Sequence, residues 1–224
     1  GGHSKRGRSA TVAAAIDPRV ASPIIMGNEG VYSTDAVPWH LSFHHAFFQD
    51  QVGVPVFYLG ATNEDGYTMF NANLILNRMN PPWTLAYVPN YRHASQSEKH
   101  FIVWKMWVAH VFNGRPITQI TDLSYEEKGP DFEWGGHRFN AGGGTLFRCK
   151  IDTPNKILQA KVWYVYCDDV PYWRDLMWYP EFMVQQDDGS WAGYVKGKLP
   201  DAWMVEVKDI AQGFPCLLYT SPSP

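Results

Sequence analysis

Two hydrophobic periods share this 224-residue chain, and the change between them falls at Arg115-Pro116. Before it, apolar runs alternate with helix-period segments. Lys5 to Ile16 is dense in helix formers and small residues, with Ala10, Ala13, Ala14 and Ala15, and reads as a helix. Asp17-Pro18 ends it, because the residue before a proline is pushed out of the α region. "ASPIIMGN" reads as a short buried strand, and the mixed segment from Val31 to Asp50 is expected to be helical around "HLSFHHAFFQD". "VPVFYLGATNED" is a continuous apolar run that ends in small and polar residues, as a buried parallel strand does. "TMFNANLILNRM" has the pattern of an amphipathic helix stopped by Asn80-Pro81-Pro82, and "WTLAYVPN" that of another strand. "SEKHFIVWKMWVAHVF" is a helix closed by Asn113-Gly114. Strands and helices in turn predict an α/β fold with a doubly wound parallel sheet over residues 1–115.

After Pro116 the texture is different. "GGTLFRCKID", "ILQAKVWYVYCD", "EFMVQQDDGSWAGYVKG" and "AWMVEVKDI" are β-rich runs separated by Gly, Pro, Asn and Asp. Asp188-Gly189 marks a hairpin inside the third. A second domain, an antiparallel β-sandwich, is expected over about 116–215. Internal repeats and low-complexity tracts are absent from the sequence.

Composition narrows the classes of function. The chain is 45% hydrophobic and 18% charged with a formal net charge of −3, and no basic block points to nucleic acid. No apolar run approaches the ~18 residues of a membrane-spanning helix, so no transmembrane segment is expected. The 10 Trp, 12 Tyr and 12 Phe suit β-rich cores and carbohydrate-facing clefts. Cys149, Cys167 and Cys216 are too few and too scattered for a disulfide framework or a zinc site. Buried free thiols are expected at the first two. "CLLYTSPSP" (216–224) back-translates without a mismatch into the read-through of a widely used transposon sequencing adaptor, so these residues are set aside from fold reasoning.

The chemistry starts at "GGHSKRGRSATVAAAIDPRV". Gly2-His3-Ser4-Lys5-Arg6-Gly7 at a strand-to-helix corner resembles a nucleophile elbow, in which a tight turn lifts the serine above the sheet edge. The turn also leaves the Lys5 backbone N–H at a helix N-terminus, where it could bind an oxyanion. The plain alternative is a serine N-cap, and Arg6 stands where the five-residue form of the motif has a small residue. Two later strands strengthen the first reading. "VPVFYLGATNED" ends in Glu64 and Asp65, and the strand beyond it ends in "YRHAS", with His93 in the loop. Serine, acid and histidine thus follow in hydrolase order, each at the carboxyl end of a predicted strand, where parallel sheets bind ligands. A chain opening on such a corner lacks the strand that feeds it, so a fragment beginning at the elbow, inactive by itself, is expected.

"GGHSKRGRSATVAAAIDPRV", "VPVFYLGATNED" and "LAYVPNYRHAS" resemble segments of α/β-hydrolases of the PhoPQ-activated pathogenicity-related type and of their acetylxylan-esterase-like and dienelactone-hydrolase-like relatives. Ser-Lys-Arg-Gly followed by an Ala-rich helix and Asp-Pro-Arg-Val is the most specific part. The resemblance implies Ser4 as nucleophile, His93 as base and Glu64 as acid, with Asp65 the alternative acid. It also implies a β-rich domain after the catalytic one, and "GYVKGKLPDAWMVEVKDI" is similar to the closing strands of that domain. The expected activity is hydrolysis of carboxylic esters, with acyl groups on carbohydrates among the substrates and no cofactor. A peptidase of prolyl-oligopeptidase-like type uses the same residues. A non-catalytic binding protein would instead use Trp163, Trp173, Trp178 and Trp191 as a sugar platform.

The remaining candidates have ordinary readings. His40, His44 and His45 have helical metal-pair spacing but no carboxylate at the metalloprotease position, so no metal is expected. Glu29 and Asp35 read as loop carboxylates. Trp39, Phe43, Phe47 and Phe48 read as packing or pocket lining, and Glu126-Glu127-Lys128 as solvated surface.

Overall fold

The computed structural model describes residues 1–27, 45–64, 72, 76, 82–94, 96–134, 136–139, 142–167, 174–211 and 214–220. They form two compact units, one of residues 1–115 with 169–176 and one of 116–168 with 177–222.

The first unit is a four-stranded parallel sheet, order β1-β2-β3-β4, from β1 (Gly2–His3), β2 (Ile24–Met26), β3 (Val56–Asn63) and β4 (Trp83–Arg92). Helix α1 (Lys5–Ile16) joins β1 to β2, and α2 (Glu98–Asn113) follows β4. The register runs straight across, Gly2 to Ile25, Ile25 to Tyr58 and Tyr58 to Leu85. Every residue of β3 is buried, which explains its unbroken apolar run: both faces of the strand are covered. Gly60 is bare because a Cβ there would meet the Tyr87 ring at 2.5 Å. Helix α2 turns Val103 and Trp107 inward, and Trp107 stacks on Phe57 with ring centroids 5.1 Å apart. Its indole N–H, buried with the ring, donates to Ser22 Oγ at 2.8 Å.

Within the segment expected to be helical around "HLSFHHAFFQD", the described residues form a 3-10 helix, His45–Gln51, and residues 28–44 lie outside the described residues. Of the helix expected over 68–79, only Ala72 and Leu76 are described; both are helical and buried. No helix among the described residues is long and apolar enough to cross a membrane.

The second unit pairs two four-stranded antiparallel sheets, β10-β9-β13-β14 and β11-β12-β8-β5. Their strands are β5 (Gln119–Lys128), β8 (Gly144–Asp152), β9 (Ile157–Val165), β10 (Tyr179–Phe182), β11 (Val184–Gln185), β12 (Trp191–Lys196), β13 (Ala202–Ala211) and β14 (Phe214–Thr220). One core joins both sheets, with Phe147, Cys149 and Val195 from one and Ala160, Val162, Val205 and Val207 from the other. Alternate residues Leu146, Ala192 and Tyr194 face away from it and are covered by a hairpin, β6 (Phe132–Trp134) and β7 (His137–Phe139). The run "EFMVQQ" changes sheets at Met183, with β10 on one and β11 on the other. Gly189, at φ 81°, turns the β11–β12 hairpin.

Glu126, Glu127 and Lys128 lie on edge strand β5, where charge discourages further strand pairing. Cys149 and Cys167 are free thiols, and burial pushes Cys149 up to about 12. The segment from Cys216 to Thr220 runs as part of edge strand β14 against β13, a pairing that uses backbone groups any extended sequence offers. Inside this unit Asp209 is fully buried and accepts hydrogen bonds from Thr118 Oγ1, Thr153 Oγ1 and Asn155 Nδ2, tying three chain segments together.

Helix α2 begins with a capping box. Ser97 Oγ accepts from the His100 backbone N–H, while the Ser97 N–H donates to His100 Nδ1 at 3.3 Å. Because Nδ1 accepts, the imidazole is neutral with its proton on Nε2. Burial holds His100 down to about 4. The unfolded chain therefore binds a proton between pH 6.5 and 4 that the folded chain does not. Stability is expected to be full above pH 6.5 and to fall as pH drops toward 4, by on the order of 2 kcal/mol. Urea unfolding across that range tests it. His100→Gln keeps a capping residue without a titrating one and should flatten this part of the profile.

Candidate active site

Ser4 is the single residue between β1 and α1, and its backbone is strained, at φ 56° and ψ −127°. Such a conformation costs a serine about 1–3 kcal/mol. The corner closes only because Gly2 is bare: a Cβ there would stand 2.1 Å from the Arg6 carbonyl oxygen and 2.8 Å from Arg6 Cβ. Strand and first helical turn touch, and glycine on the strand side lets Arg6 occupy the helix side. Backbone hydrogen bonds pin the turn, Ser4 N–H to Met26 O at 2.8 Å and Gly7 N–H to Ser4 O at 2.8 Å. Ser4 holds the N-cap position, yet its hydroxyl makes no capping hydrogen bond. Lys5 is the first residue of α1, so its N–H is one of the amides a helix cannot satisfy internally.

Glu64 follows β3 and is 2% exposed. Its Oε2 accepts a hydrogen bond from His93 Nδ1. The register aligns Asn63 with Arg92, so acid and histidine leave neighbouring strands at one level. With Nδ1–H committed to the carboxylate, His93 Nε2 carries the lone pair. His93 stays 31% exposed, accessible from solvent on a tight turn closed by Ala94 N–H to Arg92 O at 2.6 Å.

Two residues that the sequence did not mark complete the cluster. Gly27, after β2, has φ 52°, and a Cβ there would fall 2.8 Å from Glu64 Oε1 and 3.1 Å from His3 Nε2. The His3 ring lies against that of His93, centroids 4.6 Å apart at 39°. Burial first, then the charges of His93 and Arg6, hold His3 below the usual histidine value. Ser4 is thus covalently next to a ring that touches the histidine paired with Glu64. No family model matches this chain, and no curated protein or solved structure matches it either.

The residues just before acid and histidine anchor the 174–176 segment. Asn63 Nδ2 donates to the carbonyls of Arg174 and Leu176 at 3.0 and 2.6 Å, and Arg92 pairs with Asp175 at 3.3 Å. Thr62 Oγ1 accepts from the Asn90 N–H at 2.8 Å, bracing the end of β4 on β3.

Asp65, Glu29, Asp35, Trp39, His40, Phe43 and His44 lie outside the described residues; of His45 and Phe47 only the backbone, in the 3-10 helix, is described. Among the described residues no group of three or more His, Cys, Asp or Glu could hold a metal ion. Of the tryptophans considered as a sugar platform, Trp178 is buried, Trp163 is half-buried with its N–H on Glu206, and Trp191 is half-buried against the core. Trp173 lies outside the described residues.

The backbone strain at Ser4 gives a test free of any assay of activity. Ser4→Gly removes the penalty of a positive φ and should stabilise the first unit by about 1 kcal/mol after the entropy cost of glycine. Ser4→Ala keeps the strain and should leave stability within about 0.5 kcal/mol. Equal unfolding midpoints for the two variants would contradict a strained elbow.

Proposed function

We propose that this protein is a serine hydrolase of α/β-hydrolase type, similar to the PhoPQ-activated pathogenicity-related and acetylxylan-esterase-like enzymes, acting on carboxylic esters. The observation that carries the reading is a strained Ser4 whose hydroxyl makes no capping bond, next in the chain to His3, whose ring lies on the His93 that buried Glu64 holds through Nδ1. A serine used only as a cap would relax and bond its helix. A structural carboxylate–histidine pair would have no need to sit beside such a turn.

In this mechanism Ser4 Oγ attacks the acyl carbon and His93 Nε2 takes its proton. The Lys5 N–H, at the positive end of α1, stabilises the oxyanion. His93 then protonates the leaving alkoxide, and water, deprotonated by the same nitrogen, releases the acid and regenerates Ser4. Glu64 holds the imidazole and offsets the charge of the imidazolium.

The test, run on the intact full-length protein, is fluorophosphonate labelling with mass-spectrometric mapping, alongside hydrolysis of short-chain nitrophenyl esters and aminoacyl-anilides. Labelling at Ser4 and turnover of esters over anilides are expected. Ser4→Ala and His93→Ala should each remove most activity, at least ~1,000-fold, and the double variant should lose no more, because the pair acts as a unit. Glu64→Gln should lose less than either but more than Asp65→Asn. Labelling elsewhere, or additive losses, would overturn the assignment.

A further inference from the structure

The hydrolase mechanism leaves one central group without a role. His3 lies between the glycine that closes the turn and the serine, and its ring faces that of His93 at 4.6 Å. Among the described residues its buried Nε2 has no hydrogen-bond partner, and it lies, like Glu64 Oε1, close to where a Gly27 Cβ would stand. The one hydrogen bond from His93 to Glu64 leaves the imidazole free to swing about the Nδ1···Oε2 line, and its ring is part-exposed on a loop. A flat ring against it removes that freedom. Because His3 and Ser4 are consecutive residues of one strained turn, whatever places the first also places the second.

We propose that His3 is a positioning residue for the serine-hydrolase reaction, its ring backing His93 so that Nδ1 stays on Glu64 and the imidazole keeps one orientation beside the Ser4 turn. This inference rests on the hydrolase reading above. The groups around His3 favour the uncharged ring. Arg6 on α1 and His93 after β4 repel a second cation, His100 on α2 adds to that repulsion when protonated, and Glu64 is committed to His93. An uncharged neighbour also lets the imidazolium form during the reaction without like-charge repulsion.

The experiment compares His3→Ala with His3→Phe, which keeps a ring but cannot titrate. His3→Ala should lower kcat about 10- to 100-fold with KM within about twofold, the loss expected of a misplaced base. His3→Phe should recover most of kcat. Wild-type rates in His3→Ala, or equal losses in both variants, would overturn the inference while leaving the hydrolase reading intact. Absence of labelling in the wild type would instead remove the hydrolase reading, and this role with it. A histidine titration by NMR is independent of turnover and of the folding of the His3 variants. His93→Phe should raise the His3 midpoint, and an unmoved midpoint would show that the two rings do not act on each other.

Discussion

A carboxylate at the end of a strand covered on both faces has to be paired, since an ionised group without a partner there costs several kcal/mol. Glu64 meets this constraint through His93, and the neighbouring features follow from it. The strand that carries Glu64 is buried from Val56 to Asn63. The strand that carries the histidine must align with it, which the register of Asn63 with Arg92 achieves. Gly27 has to be bare because the other carboxylate oxygen occupies the space its Cβ would take. His3 fills what is left beside the imidazole.

The second constraint is steric and lies two strands away, at the end of β1. Gly2 meets the Arg6 carbonyl so closely that the chain has one way to pass from strand to helix, and Ser4 takes the strain. Strain and buried charge are both costs, and this sheet carries them at the carboxyl ends of β1 and β3. Stability elsewhere has to offset them. The apolar interior of β3, the stack of Trp107 on Phe57 and the capped ends of α2 supply it. The second unit uses a different device, an antiparallel pair of sheets closed over one apolar core with Asp209 as its buried polar tie.

Much of this architecture could be read locally. Helix α1 ends at Ile16 because Asp17-Pro18 forbids a further turn, and α2 ends at Gly114, in the left-handed region at φ 65°. The unbroken run from Val56 announces a strand buried on both faces, and the two units divide at Arg115-Pro116, where the hydrophobic period changes. Strand β5 and the hairpin β6–β7 were not legible. "SYEEK" and "FEWGGHRF" lack a clean alternation, and their pairing depends on β8 and on the outward face around Tyr194. Trp178 misled for a related reason, since a tryptophan has the same composition signal whether it faces a sugar or a core.

The candidate site divides the same way. Glu64 and His93 could be singled out because each follows an apolar run and Ser4 because of the glycine turn before a helix, and their order is a property of the chain alone. Which carboxylate meets the imidazole, that the serine hydroxyl is withheld from its helix, and that His3 and Gly27 belong to the cluster were decided only by the fold. Residues 3, 27, 64 and 93 are far apart in sequence. Short-range propensity sets where strands end, whereas the contacts between those ends depend on which strands pair and in what register, which brings together residues distant in sequence.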